Sequence, residues 1–292
     1  MIPFEMAEPA SLKEAVAMLD PQEPTIRPVA GGTALMLMMK AGVFRPTRLV
    51  SLHRLEPEYA HIAMNGSGEI RIGAMATLSA LERDANIAAR LPVLKRALRT
   101  LSNPRVRNVA RVGGALAHGD PHMDLPPVLA ALAARVSVTG PKGTRELPLT
   151  ELYTGYYETV LEKNELITAV TVPLLDGRKA AYVKVTARSA DDWPALGIAV
   201  SFMLNDSVVR DPLVVVSAAT EKVTRLVDAE RVLHGAPLDD RLLRHAGDAA
   251  AREAIILPDA HGSAGYKREL LRVYLGRAVR QALHQSAGAL KP

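Results

Sequence analysis

Two stretches of this chain place paired glycines directly in front of small apolar residues: VAGGTALM at 29–36 and ARVGGALAHGDPHMD at 110–124. Paired glycines constrain the fold because the backbone can turn tightly and approach a neighbour where a Cβ would forbid it. TIRPVAGGTALMLMMKAG reads as a strand through Val29 and Ala30, a turn at Gly31 and Gly32, and a helix from Thr33 to a terminal Gly42. Amide N–H groups at such a helix start are unblocked by side chains and lie at the positive end of the helix dipole, which makes an anion seat. The turn lacks the Lys-Ser/Thr of a P-loop and the third glycine of a Rossmann turn, so neither common nucleotide motif accounts for it.

The second stretch admits two chemistries. Gly113 and Gly114 expose backbone amides, Ala115, Ala117 and Gly119 keep the surroundings small enough for a flat ligand, and Asp124 can accept a hydrogen bond from a ribose hydroxyl. Alternatively, His118, Asp120, His122 and Asp124 alternate as nitrogen and oxygen donors suited to zinc or iron, as in a metal-dependent hydrolase. Against the metal, four ligands from seven consecutive residues must wrap one ion, and Pro121 restricts the wrapping. The plainest reading is a solvated loop whose aspartates start the helix LPPVLAALAA. Two amide cradles, one from each glycine turn, can hold one pyrophosphate between them.

Composition narrows the partners. A chain of 292 residues, 48% hydrophobic, has material for two domains with real cores. The net charge of +5 comes from 36 basic and 31 acidic residues spread along the chain, and with three Phe and one Trp there is no basic run interleaved with stacking aromatics, so nucleic acid is not implied. Without cysteine the chain holds no disulfide, cysteine-ligated zinc or iron–sulfur cluster, and a reducing cytoplasm suits it. The start MIPFEMAEPASLKEAV is acidic and proline-bearing, unlike a signal peptide, and no apolar run approaches the roughly 20 residues that span a bilayer. The expectation is a soluble cytoplasmic protein.

Ser11 and Glu14 form a capping box before a short helix, and a second, Ser79 to Glu82, opens helical turns through ALERDANIAARLPVLKRALRTL with Leu91, Leu94, Leu98 and Leu101 on one face. NPRVRNVARVGGALAHGDPHMD reads as a loop-rich link, RVSVTG and GTRELPLTEL as strands, and the composition shifts at DGRK, near residue 176. Beyond it come three strands, AYVKVTA, LGIAVSFML and PLVVVSAAT, and then three helical stretches.

Taken in order, VAGGTALMLMMKAG, IRIGAMATLSALE, VRNVARVGGALAHGDPHMDLPPVLAALAA, LYTGYYETVLEKNELITAVTVP and YVKVTARSADD resemble successive segments of the FAD-binding medium subunit of the molybdenum hydroxylases, the carbon monoxide dehydrogenase, xanthine dehydrogenase and aldehyde oxidase type. The resemblance covers nearly the whole chain. It implies an α+β fold: a two-lobed FAD-binding domain over 1–176, with lobes of about 1–55 and 56–176, then a small three-stranded sheet with helices over 177–292. It implies that Ala30, Gly31, Gly32, Thr33, Ala34 and Leu35 hold the FAD pyrophosphate from one side, while Gly113, Gly114 and Ala115 pass close to flavin and diphosphate. By the same resemblance Asp124 binds a ribose hydroxyl, His118 faces the cofactor, Leu166 or Ile167 contacts the adenine or flavin side, and Lys184, with Arg188, Asp191 and Asp192, lies at the isoalloxazine. Arg111 departs from the pattern, standing where Ser or Thr usually precedes the second glycine pair; it either makes a charge-assisted phosphate bond or points away. The implied partners are a small subunit with [2Fe-2S] clusters and a large subunit with the molybdopterin cofactor, in a heterotrimer or its dimer. A stand-alone FAD oxidoreductase of the same flavin superfamily is the alternative.

Overall fold

A computed structural model describes residues 3–287. The first lobe is a parallel sheet ordered β1-β3-β2, from β1 (Glu5–Ala7), β2 (Ile26–Val29) and β3 (Arg48–Ser51), carrying helices α1 (Leu12–Ala17) and α2 (Thr33–Lys40). Ser11 caps α1 as expected, its hydroxyl accepting from the Glu14 amide at 3.2 Å, while the Glu14 carboxylate reaches one residue further back, to the amide of Ala10 at 2.8 Å. The lobe's core is small: Leu12, Ala15, Val16, Leu19 and Val50, closed by Leu166 from the second lobe.

The second lobe begins with β4 (Ile62–Met64) and β5 (Ile70–Gly73). The stretch expected as one run of helical turns is three helices, α3 (Leu78–Arg83), α4 (Ala85–Arg90) and α5 (Pro92–Thr100). The breaks have local causes: Asp84 ends α3 in an extended conformation and caps α4 by accepting from the Ile87 amide at 3.0 Å, and Pro92, which has no N–H to give, starts α5. The cap of α3 is Thr77 rather than Ser79, which is buried; the Thr77 hydroxyl accepts from Ala80 at 2.9 Å. The leucine face is as read, with Leu91, Leu94 and Leu98 fully buried. The link expected as loop holds two further helices, α6 (Pro104–Val109) and α7 (Val112–Ala117), and α8 (Leu125–Ala131) follows. Asn103 caps α6 and Pro104 opens it, a start signal beneath the glycine and arginine content of that stretch. Strands β6 (Arg135–Gly140) and β7 (Gly143–Pro148), the small pair β8 (Tyr153–Gly155) and β9 (Glu158–Thr159), and β10 (Leu166–Val172) complete the lobe; its antiparallel sheet is ordered β4-β5-β10-β6-β7.

After a connection at 173–178 come β11 (Lys179–Val185), β12 (Leu196–Asn205) and β13 (Val208–Ser217), antiparallel, with a two-residue fourth strand β14 (Thr224–Arg225) added to the three expected. Helices α9 (Val227–Leu233), α10 (Asp240–Glu253) and α11 (Ala264–Ala287) cover one face of this sheet, burying Ala181, Ile198, Val200 and Val216. The other face sends Ala180, Tyr182, Ala199 and Val215 into the core of the second lobe, against α5 and α8, where the Ser201 hydroxyl donates to Ala131 O at 2.6 Å. Both faces are covered, which is why residues 196–202 are buried without alternation.

Candidate functional site

The two glycine turns meet. Gly31 lies so close to the end of α6 that a Cβ there would stand 2.3 Å from Val109 O and 2.8 Å from Ala110 Cα. Only glycine permits that approach, which brings the start of α2 beside the start of α7. Gly32 has φ +67° and forms the N-terminal boundary of α2 without a side-chain cap. The first amide of that helix with a backbone acceptor is Met36, on Gly32 O at 2.8 Å; those of Thr33, Ala34 and Leu35 find none among the described residues. Of the eight residues of α2 only Met39 is buried, and Thr33, Ala34 and Leu35 at its start are half-buried.

Across from it, the second glycine pair divides its work. The Gly113 amide donates to Ala74 O at 2.8 Å and that of Ala115 to Arg111 O at 2.9 Å, so these two N–H groups are engaged inside the chain. The expectation of exposed amides at both glycines is corrected at Gly113: α7 is docked by it onto the turn after β5. Gly114 differs. It is exposed, its amide has no acceptor among the described residues, and a Cβ built on it meets nothing within 4 Å. Arg111, the residue before α7, has one guanidinium nitrogen donating to Met75 O at 2.9 Å and its buried Nε without a partner; burial pulls its pKa below the usual arginine value. Unengaged amides at the starts of α2 and α7 suit a diphosphate, whereas the Arg111 Nε is enclosed by the protein itself.

The remaining expected residues fall into two groups. His118 ends α7 with its ring edge-on to Tyr157 at 5.0 Å; burial pulls its pKa below the ordinary histidine value, with Asp120 acting the other way. Asp124 and Lys184 are brought together: the carboxylate accepts from Lys184 Nζ at 2.8 Å and from the Tyr182 hydroxyl at 2.5 Å, and the ammonium also donates to Thr100 O at 2.9 Å. Burial drives the Asp124 carboxyl above the usual carboxylate range, opposed by Lys184 and Tyr182. The ribose hydroxyl expected on Asp124 therefore has two internal competitors. Leu166 and Ile167 are buried in the cores of the first and second lobes respectively, so their side chains pack the lobes.

The metal arrangement does not form. His122 Nδ1 lies 3.0 Å from Asp120 Oδ1 and Nε2 2.8 Å from Asp259 Oδ2, so both ring nitrogens are taken, and no cluster of three or more His, Asp or Glu able to hold an ion exists among the described residues. A groove of about 630 Å³ at the domain junction, between Leu174, Arg178, Pro212 and Arg225, contains none of the glycine-turn residues. Nothing local in the sequence marks Tyr182, Lys184 or Asp259 as partners of the 118–124 stretch, since each lies dozens of residues away.

Residues 2–175 match the family described as the FAD binding domain in molybdopterin dehydrogenase, and residues 181–282 match the CO dehydrogenase flavoprotein C-terminal domain. This chain belongs to the FAD-binding subunits of the molybdenum hydroxylases. Its relatives include the glyceraldehyde dehydrogenase medium chain of Sulfolobus acidocaldarius, 30% identical over 95% of this chain and 98% of the relative. The carbon monoxide dehydrogenase medium chain of Afipia carboxidovorans is 33% identical over 97% of this chain and 98% of its own. Among solved structures, a chain of carbon monoxide dehydrogenase from Hydrogenophaga pseudoflava superposes with a TM-score of 0.93 at 33% identity, covering 97% of this chain and 99% of that one. Within this family the chain is an oxidoreductase subunit whose cofactor is FAD. No helix among the described residues is long and apolar enough to cross a membrane.

Proposed function

We propose that this chain is the electron-transfer component of a molybdenum hydroxylase, its FAD taking electrons from iron–sulfur clusters in a partner subunit and passing them to an external acceptor. The observation that carries the reading is the apposition of the two glycine turns, Gly31 against Val109 O with Gly114 open across from it, in a chain of this family. The diphosphate would rest on the amides of Thr33, Ala34 and Leu35 at the start of α2, shaped by Ala30, Gly31 and Gly32, and on the amide of Gly114. Arg111, held through one guanidinium nitrogen on Met75 O, would add positive charge beside the cradle. His118, held neutral by its burial, offers a polar edge at the end of the cradle, and Ala115 keeps that wall low. Lys184, fixed by Asp124 and Thr100 O, places a positive charge between the flavin domain and the C-terminal sheet. Bound FAD supplies a carrier that exchanges electrons singly or in pairs.

The chain has no cysteine with which to hold a cluster, so the [2Fe-2S] centres belong to a small partner and the molybdopterin to a large one, in a cytoplasmic heterotrimer or its dimer. The test is purification from the native source with an absorption spectrum and a count of co-purifying chains. Flavin and iron–sulfur absorbance with three chains is expected. A colourless protein, or a single yellow chain that oxidises the organic substrate unaided, would overturn the reading.

A further inference from the structure

The residues between the second glycine turn and Asp124 do work that the cradle does not need. His122 is only 8% exposed, and its two ring nitrogens face two different carboxylates, Asp120 at 3.0 Å and Asp259 at 2.8 Å. A neutral imidazole has one N–H and one lone pair, so it satisfies one carboxylate and turns a lone pair on the other; only the imidazolium donates at both ends. Asp120 also accepts from the His122 amide at 2.9 Å, and Asp259 from the His261 amide at 2.8 Å and Lys267 Nζ at 2.5 Å. Lys267 is fully buried on α11, and its ammonium also donates to Ala218 O at 2.9 Å. Asp120, His122, Asp259 and Lys267 thus form a row of alternating charge that crosses from the flavin domain into the C-terminal domain.

Trp193 lies on this row, its indole stacked on the His122 ring at 5.3 Å and 19°. It ends the connection 186–193, which leaves the strand bearing Lys184. Among the described residues every hydrogen bond of that connection is internal to it: Ser189 to Asp191, Asp192 to Ser189, Trp193 to Asp192. The connection begins two residues after Lys184, and the Asp191 carboxyl, lowered first by the Ser189 hydroxyl, also feels the charges of Lys184 and Arg107. Its visible attachments to the body of the protein are the ring contacts of Trp193: the stack on His122 and a longer, tilted contact with His261 at 6.5 Å.

We propose that protonated His122 is the positioning residue that holds the 186–193 connection, by stacking Trp193 on a cation fixed between the two domains, and that loss of this proton frees the connection beside Lys184. The link from that movement to electron transfer rests on the flavin reading; the anchor itself does not. Burial pushes the His122 pKa down, but the hydrogen bonds and charges of Asp120 and Asp259 outweigh it and hold the pKa above the ordinary histidine value. The anchor is therefore complete below about pH 6.5 and is lost as pH rises through the elevated value. The titratable and charged groups around it are Asp120 and His118 on its own side, Tyr157 from the β8–β9 turn, and Asp259, His261 and Lys267 from the C-terminal domain. Of these, His118 is pushed down by burial and Tyr157 up by burial and Asp120, so neither titrates in the same range.

Trp193 is the only tryptophan, so its emission reports its two ring contacts, and a His261 variant separates the tilted contact from the stack. In the full chain stripped of FAD, quenching by the stacked imidazolium should lift in a one-proton step with a midpoint above that of an ordinary histidine. His122→Gln should abolish the step, His261→Gln should keep it, and Asp259→Asn, which removes one flanking charge, should lower the midpoint by about one unit or more. Emission flat between about pH 5 and 9, or a step that survives His122→Gln, overturns the proposal. If His122→Gln does not fold, an unmoved midpoint in Asp259→Asn overturns it instead. Failure here counts against the anchor, whereas a chain that purifies without FAD counts against the flavin reading.

Discussion

Gly114→Ala should make the empty protein more stable and the loaded protein less so. The added methyl meets nothing within 4 Å, and the residue lies in α7 at an ordinary helical φ, so the free chain gains the usual advantage of alanine over glycine in a helix, about 0.5–1 kcal/mol. At the scale of a domain this size that raises its Tm by a few degrees, roughly 2–4 °C per kcal/mol. In the proposed cradle, the open space that admits the methyl is where the cofactor would approach the free Gly114 amide. A hydrogen bond to a charged group, worth about 1.5–3 kcal/mol, is lost if the methyl holds the phosphate off, a fall in FAD affinity of roughly 10- to 150-fold. With FAD at about 100 times the wild-type Kd the cofactor stabilises the native chain by about 2.7 kcal/mol, most of which disappears if the variant binds 100-fold more weakly. The assay is a pair of thermal melts, with and without added FAD, beside equilibrium dialysis of the flavin. A variant that binds FAD as tightly as wild type, with both melts shifted up together, refutes the placement of Gly114 in the cradle.

Gly31→Ala should act in the opposite way: its Cβ would stand 2.3 Å from Val109 O, so the backbone must part and the empty chain should lose about 1–3 kcal/mol, read as a lower Tm without FAD. Removing one side of the buried Asp124–Lys184 pair should be costly, about 3–5 kcal/mol for Lys184→Met, and the double variant Asp124→Leu with Lys184→Met should cost less than the sum of the singles; an additive denaturant cycle would show the pair is uncoupled. Burial pushes the Asp259 carboxyl up, but hydrogen bonds from Lys267 and His122 hold it at about 2, so its contribution is intact above the ordinary carboxylate value and disappears as pH falls through about 2. Thermal melts at falling pH should therefore destabilise wild type more steeply than Asp259→Asn between about pH 4 and 2.

Features carried by neighbours in the chain were legible in the sequence. The Ser11 cap, the strand–glycine–helix turn at 29–36 and the leucine face of α5 depend on residues within a few positions of one another. The same local logic misled where two local signals competed: Pro92 and Asp84 cut one helix into three, and Asn103-Pro104 began a helix where glycine and arginine content suggested a loop. The order of five motifs was enough to indicate the family and its cofactor, because a cradle of backbone amides needs small residues at fixed places and leaves that requirement in the sequence. What the cradle leaves free was decided by the tertiary structure. Gly113 and Gly114 are adjacent and identical in type, yet one amide is used on Ala74 and the other is open, because only the docking of α7 onto the turn after β5 separates them. Asp124 likewise reads as a free acceptor until β11 brings Tyr182 and Lys184 onto it, and the alternative of His122 as a metal ligand stays open in the sequence until Asp259 arrives 137 residues later in the chain. A side chain's type is local information, whereas its charge state and spare hydrogen-bonding capacity depend on what packs against it, and for these residues the partners come from another domain.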